Sequence, residues 1–510
     1  MLSKTKIVFK DYTPKQMMLL PPSLEELIDV NHPVRIVDRI IDKIDIESLT
    51  KTYKGGGTSS YHPRMLLKVL VYAYLLNIYS SRGIEDQLKE NLHFMWISGM
   101  NRPDHNTIYR FRSKRLKDEI KKIFALVVSL LAEEGIIRIE EAFLDGTKIE
   151  VNANRYTFVW GRAIRTNKEK IREQLEGLWS YVEQIYKSEQ EELEKPEFQE
   201  ITPEKVEALI EQINTALKEK KIDKKVRQKL TYAAKNWPAK LEVCQEKEAI
   251  LDKHNSYSKT DSDATFMRMK EDHMLNGQLK PGYNFMISTN KQFITCYIIE
   301  QATTDTTCLI PHLEEYNRIH NRYPKEITAD AGFGSEENYA YMEGKIDEAY
   351  VKYNYFHKEQ THKSKNDPFS QDNLHYNKEL DCFYCPMGQP MRKIGEQKRK
   401  TRTGYIQENT LYQAVNCNGC PLRSMCHKSD TQRIIAYNHT LKRYKQKEGD
   451  LLCSEKGIQC RGQRAWDVEG TFTMIKHNKK FKKFHLRGKE KVEIEAGLPA
   501  IAHNISKISA

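Results

Sequence analysis

Apolar residues recur at helical spacing through the first quarter of the chain. After His32-Pro33, Val34, Val37, Ile40, Ile41 and Ile44 share one side of a 3.6-residue repeat, which predicts a helix. Residues 65–78 are apolar almost all round and predict a buried helix. It is entered through Tyr61-His62-Pro63-Arg64, where proline is tolerated because a first turn does not use its missing N–H. Gly55-Gly56-Gly57 breaks the chain between the two. Further on, Asp104-His105-Asn106-Thr107 caps a shorter helix over 108–117 that carries Arg110, Arg112, Lys114 and Arg115. Short helices ending in a basic one fit a helix-turn-helix-like DNA-binding unit, so residues 1–135 are read as that domain, with Arg110 and Arg112 as DNA contacts. The plainer alternative is a helical domain with one solvated charged face.

The period then changes. Residues 138–151 (RIEEAFLDGTKIEV) carry β-branched and aromatic residues around Asp145-Gly146, which predicts a strand, or a hairpin with Asp145 near its centre. From about 165 to 253 the chain is rich in Glu and Lys. Ile171, Leu175, Leu178, Val182 and Ile185 form a heptad seam, continued by Val206, Leu209, Ile213 and Leu217, then Val226, Leu230 and Ala233. Residues 165–255 are therefore a helical, coiled-coil-like insertion. Its seam could pair two copies of the chain, but the second seam follows Pro203 so closely that an intramolecular hairpin is favoured. Strand-like text resumes at 282–288 and 293–299, with Asn290-Lys291 suited to the turn of an antiparallel pair. A helix over 306–322 and a short strand running into Ala331-Gly332-Phe333-Gly334 follow.

Composition narrows the class. The 510 residues carry 82 Lys+Arg against 70 Asp+Glu, a formal charge of +12. Between Arg461 and Lys491, ten Lys/Arg against three Asp/Glu supply +7 of it. Such a concentration in a stretch that reads as a terminal helix points to phosphate contact. Its candidates are Lys476, Lys479, Lys480, Lys482, Lys483 and Arg487, while Phe472, Phe481 and Phe484 pack inward. The longest apolar stretch, 123–132, is too short for a bilayer that needs about 20 residues. Lys4, Lys6 and Lys10 precede no apolar block, so neither a secretory signal nor a membrane protein is expected, and cytoplasmic residence is the default.

Three carboxylates stand out by context. Asp145 follows an apolar strand segment, Asp330 ends another, and Glu469 lies in Trp466-Asp467-Val468-Glu469-Gly470 beside the basic stretch. Acids at strand ends and on a facing helix can converge. Like charges about 4 Å apart repel by roughly 4 kcal/mol at an effective dielectric of 20, so convergence requires a cation. Hard oxygen ligands favour Mg²⁺ or Mn²⁺, and two such ions can clamp both oxygens of a phosphodiester exchange. Five of the ten cysteines crowd into residues 382–426. Cys417-x2-Cys420-x5-Cys426 with Cys385 before Pro386 makes a four-thiolate structural Zn²⁺ site. Cys382, spaced C-x2-C from Cys385, is the alternative ligand, and His427 directly follows Cys426 and is poorly spaced to replace it.

FLDGTKIEVNANRYTF (143–158), ITADAGFGSEENY (327–339) and VEGTFTMIKHNKKFKKFHLRGKEKVEIEAGLPAIAHNISKI (468–508) resemble the three catalytic blocks of bacterial insertion-sequence transposases of the DDE type. NHPVRIVDRI (31–40) and SYHPRMLLKVLVYAYL (60–75) resemble the helical domain that precedes them, and DSDATFMRMKEDHMLNGQLKPGYNFMIS (261–288) the stretch between the first two acids. The resemblance covers nearly the whole chain outside 165–253. It implies an α/β fold: an RNase H-like core from 136–164, 256–345 and 461–510, interrupted by the helical insertion and by a zinc-binding insertion over 346–460. Asp145 is expected on the first strand, Asp330 just after the fourth and Glu469 on a late helix. Two Mg²⁺ or Mn²⁺ ions would be held, one between Asp145 and Asp330, the other between Asp145 and Glu469. Related proteins also carry a cysteine at the place of Cys385. Their Glu helix bears a Tyr, an Arg and a Lys at set offsets. Lys476 meets the Lys offset and is the expected DNA phosphate contact, whereas the Arg place holds Ala465, with Arg464 one residue earlier as a DNA-binding candidate, and the Tyr place holds Gly462.

The implied activity is metal-dependent cleavage and strand transfer at the ends of the element, on double-stranded DNA, with a homodimer as the natural synaptic unit. The alternatives are an RNase H-like nuclease that cuts without joining, and a zinc-containing DNA-binding protein derived from a transposase.

Overall fold

The computed structural model describes residues 23–53, 60–188, 196, 198, 200–218, 220, 222–252, 254–269 and 277–508. The glycine run at 55–57 and the early lysines Lys4, Lys6 and Lys10 lie outside them.

Both His-Pro pairs start helices, Pro33–Lys43 and Pro63–Leu75. In each, the imidazole Nδ1 of the histidine accepts the N–H two residues on, from Val34 to His32 and from Arg64 to His62, both at 3.2 Å. A neutral histidine thus fills the role usually taken by Asn or Asp, satisfying one donor that a helix start leaves open. Pro63–Leu75 is buried on nearly every side because it packs against Pro33–Lys43 and against the closing helix Lys489–Ile508. The basic helix expected at 108–117 is divided. An α-helix His105–Arg110, capped by Asp104, runs into a π turn, Phe111–Arg115, whose wider winding carries Arg112 inward.

The main sheet is built on β1 (Glu141–Val151), a continuous strand rather than a hairpin. Asp-Gly does not turn the chain here. A Cβ on Gly146 would collide with Met286 Sδ and stand 2.9 Å from Asn284 Oδ1, so glycine is present for close packing on the neighbouring strand. That neighbour, β2 (Leu279–Asn290), turns through Lys291 and Gln292 into β3 (Phe293–Glu300). Both turn residues have positive φ, 51° and 65°, as a tight two-residue hairpin requires. With β4 (Glu326–Gly334) and β5 (Glu348–Tyr353) the order is β3–β2–β1–β4–β5. β1, β4 and β5 are parallel, and β2 is antiparallel to β1.

β1 and β4 pair only from Glu141–Glu326 to Leu144–Ala329. Beyond that they diverge, and the next residue on each is Asp145 and Asp330. The two acids therefore flank the fork at the carboxyl side of the β1–β4 pairing, where open α/β sheets place their ligands.

The helices Gly161–Ser188, Pro203–Ala216 and Lys224–Leu251 enclose a core of their own, with Leu175, Leu178 and Val182 meeting Val206, Ile210, Ile213, Leu230 and Trp237. The heptad seam is closed within one chain. Within the 346–460 insertion, residues 375–437 form a five-stranded antiparallel sheet around Phe383, Met391, Tyr412, Ile435 and Tyr437. Three of its strands span only three or four residues, and the longer hairpin of Pro390–Lys400 with Ile406–Ala414 is mostly solvated, which leaves little hydrophobic run for a sequence to display. Near the carboxyl terminus the basic stretch is only partly helical. Glu455–Arg464 continues through a π turn, Ala465–Glu469, a short α segment and a second π turn, Met474–Asn478. The chain then leaves the helix, with Lys480 at φ 55°, before Lys483–Phe484 pairs with the end of β1. Among the described residues no helix is long and apolar enough to cross a membrane.

Candidate active site

Asp145, Asp330 and Glu469 meet at one guanidinium. Arg464 Nη1 lies 3.3 Å from Asp145 Oδ2, and its Nη2 lies 3.8 Å from Asp330 Oδ2 and 2.8 Å from Glu469 Oε1. Three elements far apart in sequence thus bring three carboxylates within 4 Å of a single cation. Asp145 and Arg464 are buried, at 10% and 8% side-chain exposure, whereas Asp330 and Glu469 are half-exposed at 48% and 51%. The cluster has a fixed floor and an open rim.

The π turn explains how Arg464 reaches the site. In an α-helix, residues five apart diverge by about 140° around the axis. The extra residue in the Ala465–Glu469 turn swings Glu469 back over Arg464, so a position one residue away from the family's Arg offset faces the acids. Asp467 points the opposite way. It is fully buried, and its Oδ1 accepts the Gln292 backbone N–H at 2.8 Å. The Gln292 side chain donates to Trp466 O at 2.9 Å, and Thr471 Oγ1 donates to Gln292 O at 3.2 Å. The β2–β3 turn therefore anchors the helix that presents Glu469. Nothing in the sequence singled out Gln292, because its role depends on where the turn lands.

A second cation was also missed. Lys352, on β5, places Nζ 3.5 Å from Asp330 Oδ1 and is 16% exposed. A lone lysine in Ala349-Tyr350-Val351-Lys352-Tyr353, otherwise apolar and aromatic, was the available signal. Burial pushes the Asp330 carboxyl up, but the Ala331 N–H, Arg464 and Lys352 outweigh it and hold the group below its ordinary range. The ion pairs of Asp330 thus add stability above its unfolded-state pKa, and that contribution is lost as pH falls through the lower folded-state value.

Among the described residues, no group of three or more His, Cys, Asp or Glu side chains is spaced to hold a metal ion. At the acid cluster the reason is steric. The carboxylates are set around a planar guanidinium, and Mg²⁺ requires oxygens at about 2.0–2.1 Å. The donor chemistry nevertheless suits a divalent ion: all three groups are hard oxygens, and Arg464 Nη1 is buried there without a hydrogen-bond partner.

The residues expected to contact DNA divide. Arg110, Lys480, Lys482 and Arg487 are exposed. Lys483 is partly covered and lies 3.9 Å from Glu150. Lys479 donates to Leu75 O at 2.8 Å, and burial lowers its pKa. Lys476 is buried and donates to Lys148 O at 3.2 Å, and Arg464 faces the acids, so neither offers an open phosphate contact. Arg112, 3% exposed, is a correction of the same kind. Its Nη1 donates to Tyr74 Oη at 3.0 Å and to Tyr79 O at 2.7 Å, and Tyr74 Oη donates to fully buried Glu495 at 3.2 Å. This network ties the amino-terminal helices to the closing helix. Arg112→Met should lower unfolding free energy by about 3 kcal/mol in urea titration, because it strands buried polar partners, while Arg110→Met changes it by less than about 0.5 kcal/mol.

Four cysteines line one cavity of about 30 Å³: Cys385, Cys417, Cys420 and Cys426, together with His427 and Arg433. Arg433 donates to two of the sulfurs, from its backbone N–H to Cys417 at 3.4 Å and from Nη1 to Cys426 at 3.1 Å. Both ring nitrogens of His427 are buried without partners. Cys382 is buried on the strand Cys382–Tyr384, outside the cavity lining.

A family model described as "Transposase DDE domain" matches residues 384–509, and one described as "Transposase domain (DUF772)" matches residues 22–114. No curated protein and no solved structure matches the chain. The first match spans the thiol cavity, Arg464 and Glu469, and the second spans the helices that carry Arg110 and Arg112. Both matches are to transposase domains, and together they support reading the chain as an insertion-sequence transposase of the DDE type.

Proposed function

We propose that Asp145, Asp330 and Glu469 are the catalytic acids of DNA cleavage and strand transfer and that they hold two Mg²⁺ or Mn²⁺ ions. The observation that carries this reading is the meeting of three carboxylates, from β1, β4 and the π turn, on one cation at the fork of the parallel strands. Bound there, the ions would activate the attacking water or DNA 3′-hydroxyl and neutralise charge on the leaving oxygen. Buried Asp145 supplies the fixed ligand, and the half-exposed Asp330 and Glu469 can adjust as DNA enters. Three carboxylates against Arg464 and Lys352 leave one net negative charge. Lys352, beside Asp330, is positioned to meet a phosphate oxygen. Labelled element ends incubated with Mg²⁺ should be cut and joined by the wild-type chain. Cutting without any joining would favour the nuclease reading.

Arg110, Lys480, Lys482 and Arg487 make up the exposed part of the proposed DNA track. Each alanine substitution among them should weaken duplex binding and reduce the slope of log K against log salt by about 0.9. Anisotropy titrations from 50 to 200 mM salt would read this, and unchanged slopes would remove a residue from the track. We assign the four-thiolate cavity to a structural Zn²⁺, with Arg433 offsetting thiolate charge. The chain acts in the cytoplasm, and two protomers bring two element ends together.

A further inference from the structure

We propose that Arg464 is an exchangeable counter-ion: it holds the three acids together in the metal-free protein, and a divalent ion must displace it to bind. The proposal rests on the reading of Asp145, Asp330 and Glu469 as the metal-binding acids.

The geometry gives the reason. Arg464 touches all three carboxylates but makes one hydrogen bond, to Glu469 at 2.8 Å. Its approach to Asp145, at 3.3 Å, leaves Nη1 buried without a hydrogen bond, and no carboxylate is gripped by both guanidinium arms. Arginine pairs most strongly in the bidentate form. Arg464 thus offsets the acids only in part and leaves its own Nη1 without a hydrogen bond, an arrangement that yields to a better cation. It must yield, because a guanidinium between the carboxylates and a metal ion drawing the same oxygens to about 2 Å cannot share the space.

Arg464 is also placed to move. It is the last residue of the helix Glu455–Arg464, immediately before the π turn. Glu469, its one hydrogen-bonded partner, is half-exposed, so the route outward passes the open rim. Lys352 contacts Asp330 alone and has no part in the exchange. Once released, the guanidinium stands at the mouth of the cleft with its planar fork free for a DNA phosphate. Metal loading and presentation of an arginine to DNA become one event, and the metal-free site stays closed.

Mn²⁺ binding to DNA-free protein, followed by calorimetry, tests this with wild type, Arg464→Gln, Arg464→Lys and Asp330→Asn. Arg464→Gln should bind Mn²⁺ at least about tenfold more tightly than wild type, with Arg464→Lys between them and Asp330→Asn weaker. In parallel, a guanidine-directed dicarbonyl reagent should modify Arg464 of the wild-type chain at least about threefold faster with Mn²⁺ than without, as scored by peptide mass spectrometry, since the side chain must leave its buried position. If Arg464→Gln fails to fold, this second measurement decides alone. Equal or weaker Mn²⁺ binding by folded Arg464→Gln, or reactivity that Mn²⁺ leaves unchanged, overturns the exchange and leaves the metal site standing. A wild-type chain that takes up no Mn²⁺, or an Asp330→Asn variant that binds it as well as wild type, overturns the metal site and the exchange with it.

Discussion

Replacing Asp145, Asp330 or Glu469 by its amide should lower strand cleavage and strand transfer at element ends by at least about 10³-fold and leave duplex binding within about twofold of wild type. Each change is nearly isosteric but removes one of the three negative charges proposed to hold two divalent ions. A loss of about 4 kcal/mol of transition-state stabilisation corresponds to that factor. DNA affinity is spared because the exposed cations Arg110, Lys480, Lys482 and Arg487 lie outside the acid cluster. The three variants should differ in stability. Asp145 and Arg464 are both buried, so Asp145→Asn leaves a guanidinium undercompensated in the interior and should cost about 3 kcal/mol. Half-exposed Glu469 should tolerate Glu469→Gln with less than about 1 kcal/mol. Transfer assays with labelled ends, run beside urea unfolding, separate a chemical defect from a folding one.

If the thiol cavity holds zinc as proposed, Cys417→Ser or Cys420→Ser should strip the chain of one tightly bound zinc and open the insertion to protease. Structural zinc contributes roughly 10–16 kcal/mol of binding free energy in small modules, and that energy is folding energy where the surrounding core is small. Here the core is a few side chains around Phe383, Met391 and Tyr412. Cys382→Ser serves as the internal control. It lies on a paired strand outside the cavity, so zinc content should stay near one per chain. Metal analysis paired with limited proteolysis reads both effects. A zinc-free wild-type chain that resists protease would remove zinc from the account.

Much of this arrangement was legible in the sequence, and the reasons are local. Asp145 and Asp330 sit at the ends of apolar strand segments, and the register that makes each the first residue past the β1–β4 pairing restates that pattern in three dimensions. The His-Pro helix starts were equally readable, because a cap is decided by a few neighbouring residues, whereas the hairpin turn expected at Asn290-Lys291 falls one residue later, at Lys291-Gln292, because Asn290 still pairs in the strand. Arg464 was not. Its place depends on a π turn, and a single inserted residue in the winding has no signature in hydrophobic periodicity. The same blind spot hid Arg112, carried inward by the Phe111–Arg115 π turn. Lys476 and Lys479 show a related limit. Charge density marked a basic region correctly, but which lysines spend their ammonium groups on backbone carbonyls is settled only by packing. The five-stranded sheet escaped notice because its long hairpin is exposed on both faces over most of its length.

The central claim is that the three acids hold two divalent ions in the place Arg464 occupies in the metal-free chain. Anomalous diffraction at the manganese edge, from crystals grown with Mn²⁺ and a short element-end duplex, tests it most directly. The account predicts two peaks, both touching Asp145, one shared with Asp330 and the other with Glu469, and Arg464 turned away from all three. Manganese bound elsewhere, with the guanidinium still seated among the carboxylates and DNA in the cleft, would contradict it.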